Sequence, residues 1–154
     1  MKLRPYRPSD LDALLTLFTD SVRRVARRDY TEAQTHAWAP DCPDRVAWAT
    51  RLRDSETLVA EEQGVIVGFA TWMVNGHIDL LYVHADHQRR GIASGLLAAI
   101  EGEARARKLA RLFTGASMTA QPLFEQRGFR VIAPQSVVLR EEMFVNFWME
   151  KVLS

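Results

Sequence analysis

The stretch Leu80 to Ile100, LLYVHADHQRRGIASGLLAAI, restricts what this chain can fold into more than any other. A short apolar run breaks at Gln88-Arg89-Arg90-Gly91-Ile92-Ala93 and resumes as an amphipathic pattern. Ile92, Leu96, Leu97, Ile100 and Ala104 share one helical face, and Glu101, Glu103, Arg105 and Arg107 the other. The reading is strand, tight basic turn, helix. A helix that leaves a strand in this way packs back on the sheet and delivers the next strand, Leu109 to Thr114, parallel to the first. The turn is an anion cradle. The first N–H groups of a helix have no intrahelical partner and lie at the positive end of its dipole, so a phosphate satisfies both. Gly91 and Ala93 leave the approach open, and Arg89 and Arg90 can add charge-assisted hydrogen bonds. No Gly-Lys-Ser/Thr P-loop and no G-x-G-x-x-G dinucleotide turn is present.

Upstream, Lys2 to Arg7 reads as an opening strand stopped by Pro8, with Ser9 or Asp10 placed to cap a helix. Leu11, Leu14, Leu15, Phe18, Val22 and Val25 recur at helical spacing and predict a first helix running to about Arg27. Thr31 caps a second through Trp38, ended by Pro40, and Asp44 to Arg53 predicts a third. Thr57 to Ala60 and Val65 to Val74 read as strands joined by Glu61-Glu62-Gln63-Gly64. Asn75-Gly76, a dipeptide favoured in type I′ turns, leads into His77 to Val83, so strands two to four are antiparallel neighbours. A helix from about Thr119 to Arg127 stops at Gly128, and Phe129 to Leu139 and Phe144 to Val152 form a last antiparallel pair. The order β-α-α-α-β-β-β-α-β-α-β-β predicts the α/β (α+β) class, with a mixed, mostly antiparallel sheet flanked by helices.

At 154 residues the chain has the size of a single domain, 1–154. With 20 Lys+Arg against 19 Asp+Glu, nothing global favours nucleic acid or an anionic membrane as partner. The arginine run from Arg23 to Arg28 reads as a solvated helical face. Cys42 is the only cysteine and the four histidines are scattered, so neither a disulfide nor a metal is expected. A reducing cytoplasm is the expected location. The N-terminus lacks the apolar core of a signal peptide, and no segment approaches the ~20 apolar residues that span a bilayer.

Set between a strand and a helix, Gln-x-x-Gly-x-Ala at Gln88 to Ala93 resembles the acetyl-coenzyme A pyrophosphate motif of the GNAT superfamily of N-acetyltransferases, Gln/Arg-x-x-Gly-x-Gly/Ala. A second segment, Ala116-Ser117-Met118-Thr119-Ala120-Gln121-Pro122-Leu123-Phe124-Glu125-Gln126-Arg127-Gly128-Phe129, is similar to the family's Asn/Ser-x-x-Ala-x-x-Phe-Tyr-Glu-x-x-Gly-Phe. The element order matches the GNAT fold along nearly the whole chain. The resemblance implies that the strand before the turn and the parallel strand after it splay around the pantetheine arm. It implies that Gln88, Arg89, Arg90, Gly91, Ile92, Ala93 and Ser94 grip the pyrophosphate. Backbone of Leu81, Tyr82 and Val83 would hold the arm and polarise the thioester carbonyl. Ser117 and Phe124 would border the cofactor.

An alkylamine with a pKa of about 10.4 is only about one part in a few thousand neutral at pH 7, so the acceptor must lose a proton. Strict alternation along the fourth strand puts His77, Asp79, Leu81 and Val83 on one face. His77 lies eleven residues before Gln88, where the histone-acetylating branch of the family carries its glutamate base. Asp79 lies where many small bacterial members carry an acid. Histidine needs no large shift to work near neutrality, which favours His77, with Asp79 as orienting partner or alternative base. Phe124 replaces the tyrosine that protonates the departing thiolate, and a phenyl ring cannot donate a proton. Water or Ser117 is left for that step, since alternation turns Tyr82 to the opposite face. Asp29 can attract a cationic acceptor, and Tyr30 or Trp38 can supply a flat wall for it. Cys42 falls in the variable helical region, so direct attack in a ternary complex is expected. The resulting reading is an acetyl-coenzyme A-dependent N-acetyltransferase for an unidentified small-molecule or peptide amine, with a homodimer through the last strands open to it. A catalytically silent acyl-coenzyme A binding or sensing module is the alternative that Phe124 favours.

Overall fold

In the computed structural model, which describes residues 1–153, the chain runs β1 (Lys2–Pro5), α1 (Leu11–Asp20), α2 (Glu32–Trp38), α3 (Arg45–Asp54), β2 (Glu56–Glu62), β3 (Val65–Trp72), β4 (His77–Val83), α4 (Ile92–Ala106), β5 (Arg111–Ser117), α5 (Gln121–Gln126), β6 (Arg130–Leu139) and β7 (Glu142–Val152). The seven strands form one sheet in the order β1-β2-β3-β4-β5-β7-β6. Every neighbouring pair is antiparallel except β4 and β5, whose ladder holds only His77 with Phe113 and Ile78 with Thr114. Thr114 Oγ1 donates to Ile78 O at 2.9 Å at the end of that ladder, and beyond it the strands splay apart. The element order and the parallel pair are those expected from the sequence.

Both faces of the central strands are covered, while β6 at the edge is largely exposed. Ile92, Leu96, Leu97 and Ile100 of α4 pack with Val67, Ala70, Ile78, Val83, Leu112 and Met149. Leu14, Leu17 and Phe18 of α1 and Leu52 of α3 pack with Val59, Phe69 and Leu80 on the other side. Covered on both sides, β3 is buried continuously from Val67 to Trp72, the pattern of a central strand. At the β1 edge, Arg4 forks Asp10 at 2.8 and 2.9 Å and reaches Glu61 at 2.6 Å, tying β1, β2 and the start of α1 together. No helix among the described residues is long and apolar enough to cross a membrane.

Three local expectations change. The first helix does not run unbroken to Arg27: α1 ends at Asp20, Ser21–Val25 form a π-helical turn, and Ala26–Arg28 a 3₁₀ turn. Val22 and Val25 stay buried throughout, so apolar spacing alone cannot distinguish the wider turn. Glu61 and Glu62 belong to β2, and the β2–β3 turn is Gln63-Gly64 alone, both with positive φ as a type I′ turn needs. Asn75-Gly76 is not of that type, because only Gly76 is left-handed, at φ +98°. Asn75 instead accepts His77 N at 3.0 Å through its side chain. A Cβ on Gly76 would lie 2.3 Å from Arg111 O, so space as well as φ demands glycine there.

Candidate active site

The splay exposes main chain along one edge of β4. His84 N donates to Val67 O at 2.8 Å across the β3–β4 ladder, so alternation turns the main-chain groups of Leu81 and Val83 toward the gap. Gln88 Nε2 donates to Val83 O at 3.0 Å and His84 O at 3.2 Å, which fixes the turn that follows. Arg89 at φ +62° and Gly91 at φ +80° curl the chain into α4. No side chain caps α4, whose N-cap is Gly91. A Cβ on Gly91 would touch nothing within 4 Å, so its backbone angle is what requires glycine.

A groove of about 410 Å³ runs along this surface, from Leu81, Tyr82 and Val83 past Gln88, Arg89, Gly91, Ile92, Ala93 and Ser94. The π-helical turn forms its far wall through Ser21, Val22 and Val25, and Ser117 and Leu123 close it. Arg89 is the one full charge in that wall among the described residues. An uncapped helix N-terminus, a cation and main chain facing an open strand edge fit an extended ligand with a phosphate at one end. Arg90 departs from the expected set: its guanidinium lies outside the wall, exposed, 4.0 Å from Glu62.

A second cavity of about 400 Å³ lies across the gap. Its wall is largely aromatic, with Phe18, Tyr30, Trp38, Trp48, Tyr82 and Phe144, and it also holds Asp79, Arg51, Arg140 and Asn146. Trp38, Leu81, Tyr82, Ser117 and Ala120 line both cavities. A group carried in one therefore meets a molecule bound in the other where β4 and β5 part.

Strict alternation fails along β4. Thr71 pairs with Leu80 while Trp72 pairs with Ile78, so Asp79 is the surplus residue of a β-bulge. Ile78 accordingly packs on the α4 side with Val83, and Leu80 and Tyr82 on the α1 side. Asp79 leaves the ladder and meets Arg51 of α3, accepting from Nε at 2.7 Å and Nη2 at 2.8 Å. The expected common face is thus corrected. Asp79 enters the second cavity, Tyr82 joins both walls, and His77 lies outside both with its ring stacked on Phe113 at 5.1 Å.

Tyr82 Oη accepts from Trp38 Nε1 at 3.2 Å, which leaves its own hydrogen to donate, and burial pushes the phenol well above its ordinary pKa. Ser117 Oγ accepts from Ala120 N at 3.1 Å and likewise keeps its hydrogen. Phe124 lines the second cavity rather than the groove, packed edge-on against Phe129. Tyr30 donates to Val145 O at 2.8 Å and accepts from Met118 N at 3.0 Å, and burial raises its pKa. Asp29 lies outside both walls and accepts from Thr119 Oγ1 at 2.8 Å. Cys42 is exposed and also outside them.

Sequence reasoning missed Arg51, Trp48, Arg140, Asn146 and Phe144 in the cavity wall. Trp48 and Arg51 carried a usable signal, since a spacing of three puts them on one face of α3. Arg140, Phe144 and Asn146 carried none. They arrive because β7 is inserted beside β5, which no local pattern announces.

Residues 26–151 match the family model described as acetyltransferase (GNAT) domain. Over 149 residues the chain is 34% identical to the uncharacterized N-acetyltransferase YafP of Escherichia coli (strain K12), covering 97% of this chain and 94% of that one. The crystal structure of a GCN5-related N-acetyltransferase from Rhodopseudomonas palustris, described as an aminotransferase of class II, superposes with a TM-score of 0.95 at 38% identity, over 99% of this chain and 95% of that one. The PaiA N-acetyltransferase of Thermoplasma acidophilum, crystallised in complex with coenzyme A, shares the fold with a TM-score of 0.80 at 16% identity, over 99% and 98% of the two chains.

Proposed function

The chain belongs to the GNAT family of acetyl-coenzyme A-dependent N-acetyltransferases, and on that premise we propose that it acetylates a primary amine by direct attack in a ternary complex. The observation that carries this reading is the junction of two cavities at Leu81, Tyr82 and Ser117, one along an anion cradle and the other aromatic. Acetyl-coenzyme A supplies an activated thioester, so that the new N–C bond forms as the C–S bond breaks. The α4 N-terminus with Arg89, Gly91 and Ala93 holds the pyrophosphate, and the main chain of Leu81 and Val83 holds the arm. A backbone N–H there faces the carbonyl oxygen, where negative charge develops during attack.

Asp79 receives the amine's proton. It is the one carboxylate in the wall of the acceptor cavity among the described residues, and Arg51 fixes its orientation through both oxygens. His77 is set aside because it borders neither cavity. Ser117 donates to the departing sulfur, and a thiol of pKa about 8.5 leaves readily enough that Phe124 in the usual donor position costs little. The exposed Cys42, outside both walls, supports direct attack over an acetyl-cysteine intermediate and suits a reducing compartment. Exposed Val131, Ile132 and Val138 on the edge strand β6 support pairing of two copies.

Acetyl-coenzyme A at a hundredfold excess over its dissociation constant should stabilise the fold by about 2.7 kcal/mol, or raise Tm by roughly 5–10 °C. Thiol release with an amine panel then measures turnover. An unchanged Tm would remove the cradle assignment, and stabilisation without thiol release from any amine would identify a silent binding module instead.

A further inference from the structure

The charges around the acceptor cavity do not suit a polycation. Two guanidinium groups, Arg51 and Arg140, line it against a single carboxylate, Asp79, and Asp79 is already forked by Arg51. Arg140 is the uncompensated cation. It sits exposed at the rim, and its one side-chain hydrogen bond among the described residues is from Nη1 to Ala37 O at 2.6 Å, at the end of α2. Its backbone is unusual as well. Arg140 at φ +47° and Glu141 at φ +69° form the two-residue β6–β7 turn, where Asn-Gly would adopt the same angles without strain. The turn thus carries an arginine that is tied to α2 and lines the cavity.

Deeper in, Asn146 Oδ1 is buried in the wall with no hydrogen-bond partner among the described residues. Asn146 pairs with Ser117 in the β5–β7 register, so this oxygen lies beside the junction where transfer takes place. A buried carbonyl oxygen left unpaired is unfavourable, and an ammonium hydrogen relieves it. Between the junction and the rim the wall is aromatic, with Trp38, Trp48 and Phe144. The cavity thus presents an acceptor for N–H at its inner end, an apolar middle and a cation at its mouth.

Resting on the acetyltransferase reading above, we propose that the acceptor is a primary amine that also carries a carboxylate on an aromatic or bulky apolar body. Its amine is directed to Asn146 and Asp79, and its carboxylate pairs with Arg140 at the rim. A guanidinium recognises a carboxylate through two parallel N–H groups, one of the few contacts able to select at a solvent-facing site. A polyamine or a lysine-rich segment would bring further positive charge against Arg140 and find no second carboxylate in the wall.

The test uses pairs that differ only in the carboxylate: L-phenylalanine with 2-phenylethylamine, L-tryptophan with tryptamine, and 4-(aminomethyl)benzoate with benzylamine. The spacing from amine to carboxylate varies across them. For at least one pair, the carboxylated partner should show kcat/KM at least tenfold above its counterpart, carried mostly by KM. Arg140→Gln should bring that ratio close to one, and Arg140→Lys should restore part of it. Stabilisation by acetyl-coenzyme A, retained in both variants, shows that they fold and still bind the donor. A wild-type preference for the decarboxylated partners or for spermidine would overturn the proposal, as would a ratio that survives Arg140→Gln. Thermal shifts of the coenzyme A-saturated protein by the same probes provide a readout free of turnover. If no amine is acetylated but the carboxylated probes alone stabilise, and only with Arg140 present, the acceptor class stands and the catalytic reading fails. Equal shifts from both members of every pair would sink the acceptor class by itself.

Discussion

Asp79 reaches the acceptor cavity because of one surplus residue in its strand. A regular β4 would have kept it on the same face as Leu81 and Val83, whereas the bulge releases it toward Arg51. Asp79→Asn keeps the shape and removes the proposed proton acceptor. It should lower kcat by about 10²- to 10⁴-fold while leaving stabilisation by acetyl-coenzyme A in place. His77→Gln, altering a ring stacked on Phe113 outside both cavities, should stay within a few-fold of wild type. Steady-state kinetics on the two variants decides between them, and the reverse ranking would return the role to His77. The sequence favours His77, with Asp79 as the alternative, and the proposed assignment reverses that order because the bulge is set by pairing with β3 and not by the residues of β4.

Among the elements, the turn between β4 and α4 joins backbone conformation most directly to binding. Gly91 holds φ +80° in open space, so Gly91→Ala should destabilise by about 1–2 kcal/mol through backbone strain alone, read as a Tm lowered by roughly 2–8 °C. Its acetyl-coenzyme A-induced shift should also shrink, because the new methyl group projects at the uncapped N-terminus of α4. A full ligand shift in that variant would mean that the N–H groups of α4 do not meet the phosphate. The starts of α2 and α3 were legible for local reasons: Thr31 accepts Gln34 N at 3.1 Å and Asp44 accepts Ala47 N at 3.0 Å, as residues of those types do at N-caps, whereas Asp10 makes no such bond at the start of α1. The π-helical turn at Ser21–Val25 was not, since its buried valines fit either helical period.

For the molecule as a whole, the cluster of Arg4, Asp10 and Glu61 fastens the N-terminal segment to the sheet edge. Bonding to Arg4, reinforced by the Arg7 N–H, holds the Asp10 carboxyl below the usual carboxylate range despite its burial. Its folded-state pKa is therefore lower than the unfolded value of about 3.9, so this stabilisation is present above about pH 4 and is lost as pH falls through the folded-state value. Asp10→Asn should cost about 3 kcal/mol at neutral pH in urea unfolding. The stability curves of the two proteins should converge as pH drops below about 4; curves that stay parallel would show that the charge of Asp10 is not the cause. The sequence by itself determined the turn proposed to hold the donor's pyrophosphate, because Gln88 to Ser94 is one continuous strand-turn-helix segment whose hydrogen bonds, φ angles and dipole are local. Only the tertiary structure decided the acceptor side. Its wall draws on α1, α2, α3, the bulged β4 and the β6–β7 hairpin, brought together by sheet order and a register shift that depend on distant strands.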